Sequence, residues 1–249
     1  MKSVLKKILQ TLLGFDNYLF IFSLYIIYTL RWNKKEGDFL HFLKIIPGDK
    51  AVLDIGANIG IMTVHLARNF RKSTVYAFEP MPDNLKALQR IVRFFHLKNV
   101  KILNHALGSE NGTIEMVMPV VKSVKMQGLS HVVDESIDSF NEGEKFTVNI
   151  FRLDDVKEIH QEGMQIGAIK MDVENFEYQV LEGGKAMIEK HRPIIYTELW
   201  DNRNRKDCFE FANKLGYGIK VLENDQLKPF NPSRHKTQNF FLLPEKSRQ

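Results

Sequence analysis

Five acidic residues and one glycine turn are spaced for chemistry in this chain. Asp54, Gly56, Asn58 and Gly60 fall within VLDIGANIG (52–60), and Glu79 closes the run VYAFEP. Asp172 and Glu174 lie in KMDVENFE (170–177), and Glu198 lies in IIYTELW (194–200). Gly56 and Gly60 form G-x-x-x-G, whereas the dinucleotide fingerprint carries a middle glycine that lets backbone approach a pyrophosphate. Asn58 occupies that middle place. The turn therefore suits an adenosine cofactor without pyrophosphate, and S-adenosylmethionine (SAM) fits. Its carboxylate can sit at the following helix N-terminus, where free N–H groups and the helix dipole attract an anion. Its ammonium needs an acceptor at the strand end, and Asp54 can serve directly or through water. Glu79 follows Asp54 by 25 residues, where a carboxylate can accept both ribose hydroxyl hydrogens.

The other acids belong with the reaction. Open α/β sheets place their chemistry outside the carboxyl ends of the strands, and Asp172, Glu174 and Glu198 are all read as strand-end residues. Two carboxylates near a sulfonium can orient it and polarise an acceptor hydroxyl. One can act as general base if the other raises its pKa. These three are the catalytic candidates. NHALGS (104–109) follows the third strand, so Asn104 or the backbone at Ala106 and Leu107 is expected at the adenine edge. His105 reads as structural, and His131 as an exposed loop histidine. No HExxH, nucleophile elbow, Walker loop or paired CxxC is present. No metal ligand is assigned, because the acid and histidine spacing is not diagnostic.

These residues need a scaffold, and the periodicity supplies one. Strands are predicted at 50–55, 74–79, 100–104, 166–172, 193–199 and 217–222, alternating with helices at 59–70, 83–96, 176–190 and 203–215. Such alternation implies an α/β fold with a mostly parallel sheet covered on both faces. Between 105 and 165 the alternation fails. IEMVMPV (114–120) and FTVNIFRL (146–153) read as extra strands in an insertion near the mouth of the site. TQNFFLLP (237–244) follows 217–222 without a helix, so those two strands should run antiparallel.

Composition sets bounds. The 249 residues, 44% hydrophobic and 26% charged, can build one core. A single cysteine, Cys208, excludes an internal disulfide framework and fits a reducing, cytoplasmic setting. The net charge of +5 permits anionic partners without requiring one. At the N-terminus, Leu5, Ile8, Leu9, Leu12 and Leu13 form a helical stripe, and residues 17–30 carry no charge. That run is short for a membrane span, is interrupted at Asp16 and Asn17, and precedes no small-residue cleavage site. Helices packed on the domain are the first expectation, with peripheral membrane contact left open.

Five segments together resemble the FkbM-type methyltransferases: VLDIGANIGIMTVHLA, VYAFEPMPDNLKAL, HALGSENG, IKMDVENFEYQVLEGG and RPIIYTEL. The likeness runs from about residue 51 to 200. It implies a class I, Rossmann-like fold with a seven-stranded, mostly parallel sheet and an antiparallel C-terminal hairpin. The division is a methyltransferase domain at 49–245 behind a helical extension at 1–48. The likeness also implies that Asp54, Gly56, Asn58, Gly60 and Glu79 line a SAM site, with Asp172 and Glu174 beside the transferring methyl. The family commonly carries glycine after the second acid, where this chain has Asn175. The expected reaction is O-methylation of a sugar, glycan or secondary-metabolite hydroxyl. The runners-up are a SAM-binding scaffold that has lost turnover and a nucleic-acid ribose methyltransferase. No nucleic-acid partner is expected, since no N/D-P-P-Y/F run is present.

Overall fold

The computed structural model describes residues 2–121, 124–132 and 142–245. Three helices come first: α1 (Lys2–Leu13), α2 (Phe15–Thr29) and α3 (Gly37–Ile45). An alternating core follows with β1 (Ala51–Ile55), α4 (Ile61–Asn69), β2 (Val75–Phe78), α5 (Pro82–Phe94) and β3 (Val100–Leu103). The insertion contributes β4 (Ala106–Leu107), β5 (Gly112–Val121), β6 (Val124–Lys125), β7 (His131–Val132) and β8 (Gly143–Phe151). The core resumes with β9 (Ile166–Met171), α6 (Glu177–Gly183), α7 (Lys185–His191), β10 (Ile194–Glu198) and α8 (Arg203–Lys214). It closes with β11 (Tyr217–Glu223), β12 (Gln226–Pro229) and β13 (Asn239–Pro244).

The main sheet has the order β12-β11-β13-β10-β9-β1-β2-β3. β1, β2 and β9 are buried at every position. That is why they read as mainly apolar runs, broken by Asp54 in β1 and Lys170 in β9, the signature of parallel strands covered on both faces. The chain leaves β1 toward β2 and β3, then returns to pair β9 on the other side of β1. The order thus reverses between β1 and β9, and α/β folds bind ligands at such a crevice. β13 pairs antiparallel with both β10 and β11, as the missing helix implied.

Two details depart from the sequence reading. The sheet holds eight strands rather than seven, because β12 pairs with β11 at the edge. Asn224 and Asp225, the two residues between them, both have positive φ, which suits a two-residue hairpin turn. The helix expected at 176–190 is two helices, α6 and α7, meeting at Gly184. A side chain there would lie 2.8 Å from Leu153, so the small residue lets the chain pack on that leucine.

The insertion is a second sheet built on a long antiparallel β5–β8 hairpin. Its turn at 127–130 is tied to α1. Lys6 donates to the Gln127 side chain at 3.3 Å, and Gln10 exchanges hydrogen bonds with the Lys125 backbone. α2 packs on α4 and α5, burying Tyr18, Leu19 and Ile27. Its Ser23 hydroxyl donates to the Ile59 carbonyl at 3.2 Å. No helix among the described residues is long and apolar enough to cross a membrane.

Candidate functional site

The site forms where β1, β2 and β9 end. After Ile55 the chain turns through Gly56 at φ 74°. A Cβ there would lie 1.9 Å from the Asp172 carbonyl oxygen, so Gly56 is demanded by the neighbouring strand end. Asn58 also takes a left-handed conformation, φ 50°, and its side-chain oxygen accepts the Ile59 N–H at 2.8 Å. Asparagine is among the residues that tolerate this region best.

Glu79 locks the turn. One carboxylate oxygen accepts the Asn58 N–H at 2.8 Å; the other accepts the Met81 N–H at 2.9 Å and the Asn84 amide at 3.4 Å. Burial pushes its pKa up to about 7 against those hydrogen bonds. Ile55, Gly56, Asn58, Glu79, Ala106 and Glu174 line a cleft of about 620 Å³, solvent-facing mouth included. Gln127, Gly128 and Ser130 of the insertion line its far side. The insertion therefore does reach the mouth of the site.

A second cleft, of about 640 Å³, shares Gly56, Asn58, Gln127, Gly128 and Asp172 with the first. Its other walls include Ile61 and Met62 at the start of α4, Lys170, Glu36, and the α2-side residues Phe22, Ile26 and Leu30. The first N–H groups of a helix have no partner inside it, so α4 presents donors here.

Asp54 stands beneath these walls. Fully buried, it accepts the Thr63 hydroxyl at 2.6 Å and faces the Lys170 ammonium at 3.6 Å. Lys170 donates to the Gly56 carbonyl at 3.0 Å and lies 3.8 Å from Asp172. Burial alone would lower the Lys170 pKa, but Asp54 and Asp172 outweigh it and hold the ammonium charged. Sequence reasoning quoted this lysine without a role. A lysine inside an apolar strand, two residues before an acid, was the available signal.

Asp172 and Glu174 line the first cleft, and Glu198 lies off the walls yet near enough to act on Glu174. Burial, then repulsion from Asp172 and Glu198, pushes Glu174 up to about 9. Glu198 and Glu36 are also raised, by burial first and by Asp172 next. Glu177, missed as a site residue, braces the loop: it accepts the Val173 and Asn175 N–H groups and the Asn204 amide. Asn175 has φ 74°, and its side-chain oxygen accepts from Asn202 at 2.6 Å. The departure from glycine thus leaves the turn intact.

Other candidates lie apart. Gly60 packs against Leu88 of α5, and Asn104 is exposed; neither is on the walls of the two clefts, and nor is Glu198. His105 lines the first cleft with its ring against Phe78 and Phe151, and burial lowers its pKa. His131 is buried rather than exposed, because β7 pairs with β5 and its Nδ1 lies 2.8 Å from the Leu129 carbonyl.

Residues 54–226 fit the methyltransferase FkbM domain. The chain belongs to the FkbM methyltransferase family. It is 25% identical over 198 residues to Methyltransferase 1 of Beauveria bassiana, covering 74% of this chain and 78% of that protein. It is 26% identical over 180 residues to Methyltransferase sdnD of Sordaria araneosa, covering 63% and 68%. The fold matches the crystal structure of Methyltransferase FkbM from Methylobacillus flagellatus KT, with TM-score 0.50 and 17% identity. That match covers 78% of this chain, which spans 44% of the larger protein. The FkbM domain begins at Asp54. α1–α3 lie outside it, yet Phe22, Ile26, Leu30 and Glu36 help to wall the second cleft.

Proposed function

We propose that this FkbM methyltransferase uses SAM to methylate a hydroxyl of a sugar, a glycan or a secondary metabolite. The observation that carries the reading is the junction of the two clefts. There Gly56, Asn58 and Asp172 are shared, and Asp172, Glu174, Glu36 and Glu198 crowd around one buried cation, Lys170. That donor set fits SAM, whose sulfonium and ammonium offset surplus carboxylates while its carboxylate can meet the α4 N–H groups and Lys170. Bound there, SAM supplies an electrophilic methyl.

The chain's own residues do the rest. Glu79 accepts ribose hydroxyl hydrogens while keeping the Asn58 turn in place. Ala106 and Leu107 form the apolar wall for adenine. Glu174, with Asp172 beside it, accepts the proton of the acceptor hydroxyl once a neighbouring cation favours its charged form. Holding acceptor and donor together can contribute on the order of 7–11 kcal/mol.

The test has two stages. Purified protein should bind SAM and S-adenosylhomocysteine by calorimetry, and Glu79→Ala should weaken both. With SAM and pooled alcohol acceptors, mass spectrometry should find a product heavier by one methylene and an equal amount of S-adenosylhomocysteine. Tight SAM binding with no methylated product across sugar, glycan and metabolite pools would favour a scaffold. Failure to bind either ligand at millimolar concentration would end the enzyme reading.

A further inference from the structure

α2 is apolar on both sides. Its inner residues Leu19, Ser23 and Ile27 are buried against α4 and α5, and Phe22, Ile26 and Leu30 wall the second cleft. A helix apolar all round is normally buried in a core or in a membrane. Yet Ile21, Tyr25 and Tyr28 of α2, continued by Trp32, are 49%, 63%, 56% and 66% exposed. Their spacing of four, three and four residues makes one helical stripe. Ile8, Leu9 and Leu12 of α1 and Phe94 of α5 add further exposed apolar surface on the elements that meet α2. Soluble surfaces rarely leave large apolar residues in contiguous rows.

The charge near the C-terminal end of this stripe is mainly basic, while the exposed acid of α2, Asp16, sits in its first turn and faces Lys86 at 3.9 Å. The Arg31 guanidinium lies 4.1 Å over the Trp32 ring, that of Arg90 3.9 Å over Phe20, and that of Arg68 4.3 Å over Phe95. Lys34 and Lys35 follow at once and are exposed. Tyrosine and tryptophan beside arginine and lysine is the composition of a helix lying in the headgroup layer. α2, at 15 residues, is too short to span and suits lying flat.

We infer that the outer face of α2 seats on an anionic lipid bilayer. The inference rests on the methyltransferase reading only for its consequence: with its inner face walling the second cleft, α2 stands between lipid and site, which favours an acceptor carrying an apolar chain. A second copy of this chain could cover an apolar stripe, but the arginines ringing it would then oppose one another. An anionic surface satisfies both the rings and the charges.

The full chain is mixed with vesicles of phosphatidylcholine alone, or with phosphatidylglycerol at about one third, and sedimented. Binding to the anionic vesicles is expected, weakened by salt, with Trp32 fluorescence quenched by brominated acyl chains. A triple variant, Tyr25→Ser, Tyr28→Ser and Trp32→Ser, should lose more than roughly tenfold in partitioning while binding SAM as before. Arg31→Gln with Lys34→Gln and Lys35→Gln should lose the preference for anionic vesicles. No sedimentation with anionic vesicles, or full binding by the triple variant, overturns the inference. So does a dimer in sedimentation velocity that the triple variant abolishes. SAM binding is scored separately, so a failed docking face leaves the methyltransferase reading standing.

Discussion

The two halves of the cleft are built on opposite principles. On the β1–β2 side, Glu79 is buried but accepts three hydrogen bonds, one of which ties down the Gly56–Asn58 turn. On the β9–β10 side, burial and the charge of Asp172 raise both Glu174 and Glu198, and Lys170 is the cation that offsets them among the described residues. The first half is pre-organised, which limits what binding must spend on ordering. The second is short of positive charge, and a ligand that brings a cation relieves it. Where a group needs only positioning, the chain satisfies its hydrogen bonds in advance. Where a charge is to act, the chain leaves it underpaired.

Lys170 joins the halves, so its loss should have the largest effect. Lys170→Met removes the cation between Asp54 and Asp172 and leaves a fully buried carboxylate with Thr63 as its hydrogen-bond donor. Breaking a buried pair from one side costs about 3–5 kcal/mol. Urea unfolding should show a loss of that order. A loss under about 1 kcal/mol would mean that the two halves do not depend on this lysine.

Next in size is the pre-organised half. Glu79→Ala removes the acceptor of the Asn58 and Met81 N–H groups together with the expected ribose contacts. Hydrogen bonds to a charged group are worth about 1.5–3 kcal/mol, so SAM and S-adenosylhomocysteine should each bind roughly ten- to a hundredfold more weakly. Both ligands should suffer alike, since they share the adenosine. Calorimetry showing a loss for SAM alone would move Glu79 to the charged half.

How much of this contrast the sequence displayed depends on which physics was at work. The buried strands were legible because parallel strands covered on both faces are mainly apolar runs, as VYAF is and as VLDI is apart from Asp54. Glu79 and the glycine turn were legible because their spacing along the chain is fixed by the fold. Lys170 carried one local sign, Asp172 two residues on, but its other partners Asp54 and Gly56 are over a hundred residues away and no local pattern shows them. Glu177 was hidden for a similar reason, its clasp with Asn204 being a tertiary contact. β12 escaped because QLKP has no strand pattern, although Asn224-Asp225 was a readable turn signal. The second face of α2 was visible only as excess hydrophobicity.

The charged half makes a subtler prediction, in pH. Glu174 is raised to about 9 and Glu177 to about 7 in the folded chain. The unfolded chain releases those protons near pH 4.5, so between there and about 9 the folded state holds more protons. Stability without ligand should therefore fall as pH rises from about 5 to about 9. A bound cation favours the charged carboxylates, so SAM should bind more tightly as pH rises through this window and release protons as it binds. S-adenosylhomocysteine lacks the sulfonium and should show a shallower slope. Calorimetry in two buffers of different ionisation heat measures the protons directly. Equal release for both ligands would show that the sulfonium does not meet this cluster.

The smallest effect is expected at Asn104, and it tests where the pre-organised half ends. Asn104 lies just past β3, beside the cleft residues Ala106 and Leu107 that are proposed to face adenine, yet its side chain is exposed and off the cleft wall. An exposed substitution away from caps, cores and ligands usually stays within about 0.5 kcal/mol. Asn104→Ala should therefore change SAM affinity by no more than about twofold, whereas Ala106→Leu, which puts three more carbons into the cleft, should weaken it severalfold. A tenfold loss at Asn104 with none at Ala106 would turn the adenine to face outward past β3, and the half that looks complete without a ligand would then be completed by one.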